Sequence, residues 1–245
     1  MDTSRLPTET RQLWEALHHE PLLHGFVLIG GTALALRIGH RLSEDLDFAY
    51  LGARLPKQRL NVLKEALLEQ GIQLEEITDV VTQEEFLVTG LALADYQQNY
   101  LAHLPQGSVK LSFVCLDPHV TGLFAGDVST PLRVASLDEV FKSKVFACAS
   151  RSKTRDWFDL YVLMNQFGFD GEDLYRTLVE TARENTFDMI SMRLRSGKPS
   201  LADEGYATLL QDPPSLEVMR DFFNAMLDRL EVDLSSAAFK GLDRR

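Results

Sequence analysis

Phe26–Tyr50 reads FVLIGGTALALRIGHRLSEDLDFAY, and its internal punctuation decides the fold. The short apolar run Phe26-Val27-Leu28-Ile29 has the length and composition of a buried strand. Gly30-Gly31-Thr32 follows directly, and Ala33-Leu34-Ala35-Leu36-Arg37 then opens a helix for which Thr32 is placed as N-cap. After the loop Gly39–Glu44 comes Asp45-Leu46-Asp47-Phe48, the start of a second strand. Residues i and i+2 of a strand point to one face, so Asp45 and Asp47 project together.

These residue types share a chemistry. Two hard oxygen ligands side by side suit Mg²⁺, which takes one or two carboxylates and completes its shell with substrate phosphates and water. A glycine pair at a helix start lets backbone N–H groups approach a phosphate at the positive end of the helix dipole. The segment therefore offers a triphosphate cradle at Gly30, Gly31 and Thr32 and a metal clamp at Asp45 and Asp47. In the loop between them, Ser43 is placed to bond a phosphate or to order the loop, and His40 and Arg41 to contact base or phosphate.

Working outward, residues 8–19 form an amphipathic helix with Leu13, Trp14 and Leu17 inward. Pro56–Gln70 is a helix stopped by Gly71, and Ile72–Ile77 and Glu85–Leu93 are strand candidates. Tyr100–Leu104 and Val109–Leu116 read as a hairpin across a four-residue turn, Pro105–Ser108. A connector over 117–135, with Gly122, Gly126 and Pro131, leads to Ser136-Leu137-Asp138-Glu139, a capping box opening a helix that runs to Ser150. Helices are expected at Thr154–Phe167, Asp170–Glu184, Phe187–Arg195 and Ser215–Glu231, the later ones separated by Ser196–Pro199 and Asp212–Pro214. The expected organisation is an α/β part, a mixed sheet flanked by helices, over 1–135, and a helical domain over 136–245.

Composition is that of an ordinary globular protein, with no apolar stretch of membrane-spanning length and no signal-peptide pattern at Met1–Arg5. Cys115 and Cys148, each among apolar residues, read as buried reduced thiols, so a cytoplasmic location is expected. A net charge of −11 argues against a surface that grips nucleic acid all over, although Arg133, Lys142, Lys144, Arg151, Lys153 and Arg155 make a local basic strip. That strip is either a phosphate-facing surface or a solvated helix face. Walker A, His-Glu-x-x-His, paired Cys-x-x-Cys, Gly-x-Ser-x-Gly and Gly-x-Gly-x-x-Gly patterns are all absent.

A glycine pair followed at helix length by Asp-x-Asp resembles motif I of the DNA polymerase β-like nucleotidyltransferases. The form here, GGTALAL…HRLSEDLDF, is most similar to the AbiEii/AbiGii toxin branch. A second block agrees: Lys144-Val-Phe-Ala147, then Arg151, then Arg155-Asp156-Trp-Phe-Asp159-Leu-Tyr161 resembles that branch's downstream pattern. The resemblance covers residues 20–165. It implies Mg²⁺-dependent transfer of a nucleoside monophosphate from an NTP to an acceptor hydroxyl. It implies RNA as acceptor, with the tRNA 3′ end foremost, and a toxin neutralised by a cognate antitoxin protein.

Within this reading Lys144 is the candidate cation for phosphate or leaving group, a compact ammonium with three donors. Arg151 and Arg155 are candidates for guanidinium–phosphate contacts, and Asp156 and Asp159 for orienting Lys144 or serving as base. The plain alternatives are a surface lysine and an i,i+4 pair between Arg155 and Asp159. One position departs from the pattern. The superfamily commonly projects a third carboxylate from a later strand, where this chain has Ser112; Asp95 and Asp117 are the possible substitutes. Two other functions therefore stay open: the same chemistry on a small molecule or protein side chain, and a non-catalytic nucleotide-binding module.

Overall fold

The computed structural model describes residues 1–78, 80–124, 132–198, 206, 210 and 212–242. Gly126 and Pro131 of the connector and Pro199 of the later separator lie outside them. The chain divides into two compact units, Met1–Val140 and Phe141–Arg245.

The first unit runs α1 (Thr8–Leu17), β1 (Phe26–Ile29), α2 (Gly30–Ile38), β2 (Leu46–Tyr50), α3 (Lys57–Glu69), β3 (Gln73–Glu76) and α4 (Val80–Val88). It continues through β4 (Gln97–Leu104), β5 (Gly107–Cys115), the single-turn α5 (Pro118–Thr121), β6 (Leu132–Val134) and the start of α6 (Leu137–Ser150). The strands make one mixed sheet in the order β3-β4-β5-β2-β1-β6. β1 is antiparallel to β2 and parallel to β6, while β2 lies parallel to β5.

Register sorts the side chains onto two faces. Leu28, Phe48 and Phe113 form one row, with Phe26 and Tyr50 beside it. Here Phe113 meets Phe48, Phe26 and Tyr100 at centroid distances of 5.6, 5.4 and 6.3 Å, so aromatic burial supplies much of this core. α3 covers the same face, with the Arg59 guanidinium 5.5 Å from the Phe26 ring and 5.4 Å from Tyr50. The opposite face carries Ile29, Asp47, Ser112 and Asn99 in one row.

Two expectations for this unit are corrected. Glu85–Leu93 is not a strand; its first half is the end of α4. Gly90 adopts φ +74°, and the N–H groups of Gly90 and Leu91 donate back to Leu87 and Phe86 at 3.0 and 3.1 Å. That is a left-handed helix stop, and β-favouring Phe86, Leu87 and Val88 are held in helix by it. The hairpin turn is also shorter than expected. Leu104 pairs directly with Gly107, leaving only Pro105 and Gln106 between the strands. Cys115 is half-buried and Cys148 fully buried; neither forms a disulfide.

In the second unit, the remainder of α6 is followed by α7 (Thr154–Gln166), α8 (Gly171–Glu180), α9 (Phe187–Ser196) and α10 (Leu216–Leu242). α10 packs against α7, α8 and α9. Buried Trp157, Leu160 and Leu163 of α7, Leu178 of α8, Leu194 of α9 and Phe223 of α10 fill the unit's interior. α8 stops four residues before its expected end. Ala182 turns to φ +52°, and Arg183 N–H closes the helix onto the Leu178 carbonyl at 2.7 Å. At the start of α6 the expected capping box is present: Glu139 N–H donates to Ser136 Oγ at 3.2 Å and Ser136 N–H to Glu139 Oε2 at 2.7 Å. No helix among the described residues is long and apolar enough to cross a membrane.

Candidate active site

The turn from β1 into α2 is packed against the residues that follow it. Gly30 sits at φ +74°, and a Cβ there would lie 3.2 Å from Asp47 Oδ2. A Cβ on Gly31 would strike the Arg41 guanidinium and come within 3.1 Å of Ser43 Oγ. The two glycines thus make room for the carboxylate of β2 and for the loop between α2 and β2. Thr32 is not the N-cap: α2 begins at Gly30 with Ile29 in that place. The Thr32 hydroxyl instead donates to the Asp45 carbonyl and lies 2.8 Å from Ser43 Oγ, pinning the loop that delivers the carboxylates. Arg41 is buried, with its Nη1 donating to the Leu42 carbonyl at 2.8 Å.

One substitution tests this packing. Gly30→Ala combines left-handed strain of about 1–2 kcal/mol with pressure on Asp47. We expect a fall in melting temperature of several degrees, roughly 2–4 °C per kcal/mol for a chain of this size. A calorimetric scan checks this; an unchanged melting point would contradict the packing argument.

Asp45 falls just outside β2, which starts at Leu46, and Asp47 lies within it. Across the sheet Asp47 is paired with Ile29 on one side and Ser112 on the other, and Ser112 in turn with Asn99. Ser112 is therefore the strand neighbour of Asp47 on the carboxylate-bearing face, and it is buried. Neither suggested substitute takes its place. Asp95 is ion-paired with Arg54 at 3.3 Å and with Lys57, and Asp117 caps α5 by accepting from His119 N–H at 2.9 Å. Among the described residues no group of three or more His, Cys, Asp or Glu side chains is placed to hold a metal. The candidate donor set is the Asp47 carboxylate with Ser112 beside it in the sheet row, and Asp45 two residues earlier in the chain. It fits a Mg²⁺ that draws its remaining ligands from nucleotide phosphates and water, and it does not fit a metal caged by protein alone.

Lys144, Arg151, Arg155 and Asp159 all belong to the second unit. Lys144 Nζ is 2.7 Å from Asp156 Oδ1 and 2.7 Å from Asp159 Oδ2, and Arg151 Nε is 2.7 Å from Asp156 Oδ2. Lys144 and both aspartates are buried, whereas the Arg151 side chain is 54% exposed. Burial by itself would raise the Asp156 pKa, but the Lys144 ammonium and the Arg151 guanidinium hold it down to about 2.

That depression has a consequence in acid. An unfolded aspartate titrates near 3.9. The stabilisation, about 2 kcal/mol from the shift, is complete above that value and lost as pH falls through about 2. Urea denaturation followed from about pH 5 to about pH 2 should show a steeper loss in the native chain than in Asp156→Asn.

The basic strip is largely neutralised within the fold. Arg133 pairs with Glu139 at 2.6 Å and Lys142 with Glu180 at 3.3 Å, besides the Lys144 and Arg151 pairs above. Each partner lies on a different element from the cation it pairs with, which a run of charges read along the chain does not reveal. The sequence singled out the motif loop and the α6–α7 residues. It did not single out Asn99, whose place beside Ser112 depends on the length of the hairpin turn.

Comparisons with known proteins bear on the family and the fold. The family model described as "Nucleotidyl transferase AbiEii toxin, Type IV TA system" matches residues 12–244. The chain belongs to the AbiEii nucleotidyltransferase toxin family. The uncharacterized protein aq_aa25 of Aquifex aeolicus (strain VF5) is 26% identical over 189 residues, covering 76% of this chain and 80% of that protein. The crystal structure of JHP933 from Helicobacter pylori is similar over 95% of this chain and 96% of its own, with a TM-score of 0.51 at 21% identity. A second H. pylori crystal structure, of a chain taken to be a nucleotidyltransferase, is similar over 93% of this chain and 95% of its own, with a TM-score of 0.53 at 22% identity. At those identities the two structures support the fold, a mixed sheet flanked by helices with a helical C-terminal part. This AbiEii-family chain is thus a nucleotidyltransferase toxin by family, with an antitoxin partner as the type IV system's counterpart.

Proposed function

We propose that this AbiEii-family chain transfers a nucleoside monophosphate from an NTP to an acceptor hydroxyl on RNA, with the tRNA 3′ end as the favoured acceptor, and depends on Mg²⁺. The observation that carries the reading is the closeness of Asp47 Oδ2 to the Gly30 position, where a Cβ would lie 3.2 Å from it, so that a carboxylate sits against the start of α2. First-turn N–H groups of α2, from Gly30, Gly31 and Thr32, hold the triphosphate at the positive end of the helix dipole. Arg41 and Ser43 brace that turn from the loop side. Asp45 and Asp47 would hold Mg²⁺, and Ser112 contributes an uncharged oxygen beside Asp47. The ion, when bound, draws charge from the phosphates and from the departing pyrophosphate. The acceptor oxygen attacks the α-phosphorus as the bond to pyrophosphate breaks.

In the second unit, an ammonium already balanced by two buried carboxylates has little charge to offer a phosphate. Lys144 and Asp159 therefore take a supporting role, and the more exposed Arg151, with Arg155, is the candidate for phosphate or RNA contact. The net charge of −11 favours a second reading, in which the acceptor is a small molecule or a protein side chain.

The test is incubation with Mg²⁺, each labelled NTP in turn and total RNA, with the Asp45→Ala, Asp47→Ala double variant as control. Label entering a tRNA-sized band only with intact carboxylates supports the proposal. Pyrophosphate release with protein or small-molecule acceptors, and none with RNA, supports the second reading. NTP binding with no turnover on any acceptor leaves a binding module and makes Ser112 the departure that matters.

A further inference from the structure

Several cations that the sequence offered for phosphate are engaged within the fold: Lys144 by Asp156 and Asp159, Arg133 by Glu139, and Lys142 by Glu180. Lys110, which the sequence did not single out, is different. It lies on β5 between Val109 and Leu111; both are buried, and Lys110 is exposed. Alternation along the strand puts it on the same face as Ser112, two residues and roughly 6.5 Å away. Register puts Ser112 beside Asp47, so Lys110 stands on the carboxylate-bearing face. The pairing of β2 with β5 starts at Leu46 and Leu111, and the residues just before that first pair are Asp45 on one strand and Lys110 on the other. We infer that the Lys110 ammonium contacts the phosphates of the metal-bound nucleotide from the β5 side of the sheet. The inference rests on the nucleotidyltransferase reading above and adds a substrate-binding residue to it.

The ammonium is available. Among the described residues Lys110 has no ion pair. Its neighbour across β4 is Leu101, and the carboxylate next in that row, Glu75 of β3, lies 2.7 Å from His103 Nε2. Ser112 keeps it available. A carboxylate at that position would share a strand face with Lys110 and balance its charge, whereas a hydroxyl does not. The proposed substrate also calls for it. One Mg²⁺ does not neutralise a triphosphate together with Asp45 and Asp47, and a further cation beside them lowers the cost of gathering that charge. An ammonium with three donors on a flexible four-carbon stem suits the phosphate oxygens that the α2 turn and the ion leave unmet.

The experiment measures binding of ATP, CTP, GTP, UTP and inorganic tripolyphosphate, each with Mg²⁺, and of total RNA without nucleotide. The proteins are the native chain, Lys110→Gln, Lys110→Arg and, as a control, Lys64→Gln, with thermal melting of each. Lys64 is an exposed lysine of α3 whose ammonium lies 5.7 Å from the Tyr100 ring, on the opposite face of the sheet, so its loss changes the net charge equally. Lys110→Gln should melt like the native chain and weaken tripolyphosphate and all four nucleotides alike, by about tenfold or more, the worth of a hydrogen bond to a charged group. Lys110→Arg should keep most of the binding, and Lys64→Gln should keep all of it. Native binding of tripolyphosphate and nucleotides by Lys110→Gln overturns the inference and leaves the nucleotidyltransferase reading standing. So does equal weakening by Lys64→Gln, which would mark a general effect of net charge. Weakened RNA binding with nucleotide binding intact also overturns it and makes Lys110 an acceptor contact. If neither nucleotides nor tripolyphosphate bind the native chain, the nucleotidyltransferase reading itself falls, and the inference falls with it.

Discussion

Asp47→Asn should reduce kcat/KM for nucleotide transfer by roughly a thousandfold, about 4 kcal/mol of transition-state stabilisation, with a melting temperature close to that of the native chain. The amide has the shape of the carboxylate, so it can occupy the same space against Gly30, where a Cβ would lie 3.2 Å from Asp47 Oδ2. What it loses is the charge that makes a hard-metal ligand. The measurement is steady-state transfer across a Mg²⁺ series beside a thermal scan. Partial recovery at high Mg²⁺ would mark a weakened metal site. Full activity at ordinary Mg²⁺ would remove Asp47 from the metal set and with it the reason for pairing a glycine turn with a carboxylate strand.

Lys144→Met carries the second large expectation, and it concerns stability. The ammonium sits 2.7 Å from both Asp156 Oδ1 and Asp159 Oδ2, in a setting where Asp159 has no exposed surface. Removing it leaves two buried carboxylates facing each other, with Arg151 reaching Asp156. Breaking a buried pair in this way costs about 3–5 kcal/mol, measurable as a shifted urea midpoint. Neutralising all three residues, as Lys144→Met with Asp156→Asn and Asp159→Asn, should recover most of that loss, because uncharged groups of similar volume do not need the ion pair. If Lys144→Met melted like the native chain but failed to bind nucleotide, Lys144 would be a phosphate ligand and the network's structural role would be secondary.

The legible part of this protein was local. The strand, glycine turn, helix and carboxylate strand of Phe26–Tyr50 lie within one continuous segment, and their order follows from apolar runs and punctuation. The capping box at Ser136 and Glu139 is likewise a relation between residues three apart. What eluded the sequence depends on context beyond the segment. Phe86, Leu87 and Val88 have strand propensities, but Gly90 closes a helix behind them, and a glycine can end either element. A four-residue hairpin turn would have set Leu104 against Val109 and Leu101 against Ser112. The two-residue turn moves that pairing by two positions and sets Asn99 there. The charges of α6 and α7 could be counted in the sequence, yet whether they faced solvent or each other depended on how the two helices pack.

The parallel pairing of β2 with β5 bears on when the surroundings of Asp47 are completed as the chain is made. β1, α2 and β2 can fold together as soon as they are synthesised, since their contacts are short in sequence. Ser112 reaches Asp47 only after α3, β3, α4 and β4 have been made and the β4–β5 hairpin has docked, a loop closure of high contact order. A partly synthesised chain would hold both carboxylates and the glycine turn with no neighbouring strand to fix Asp47 from its far side. The topology thus completes the row beside Asp47 only once the sheet closes.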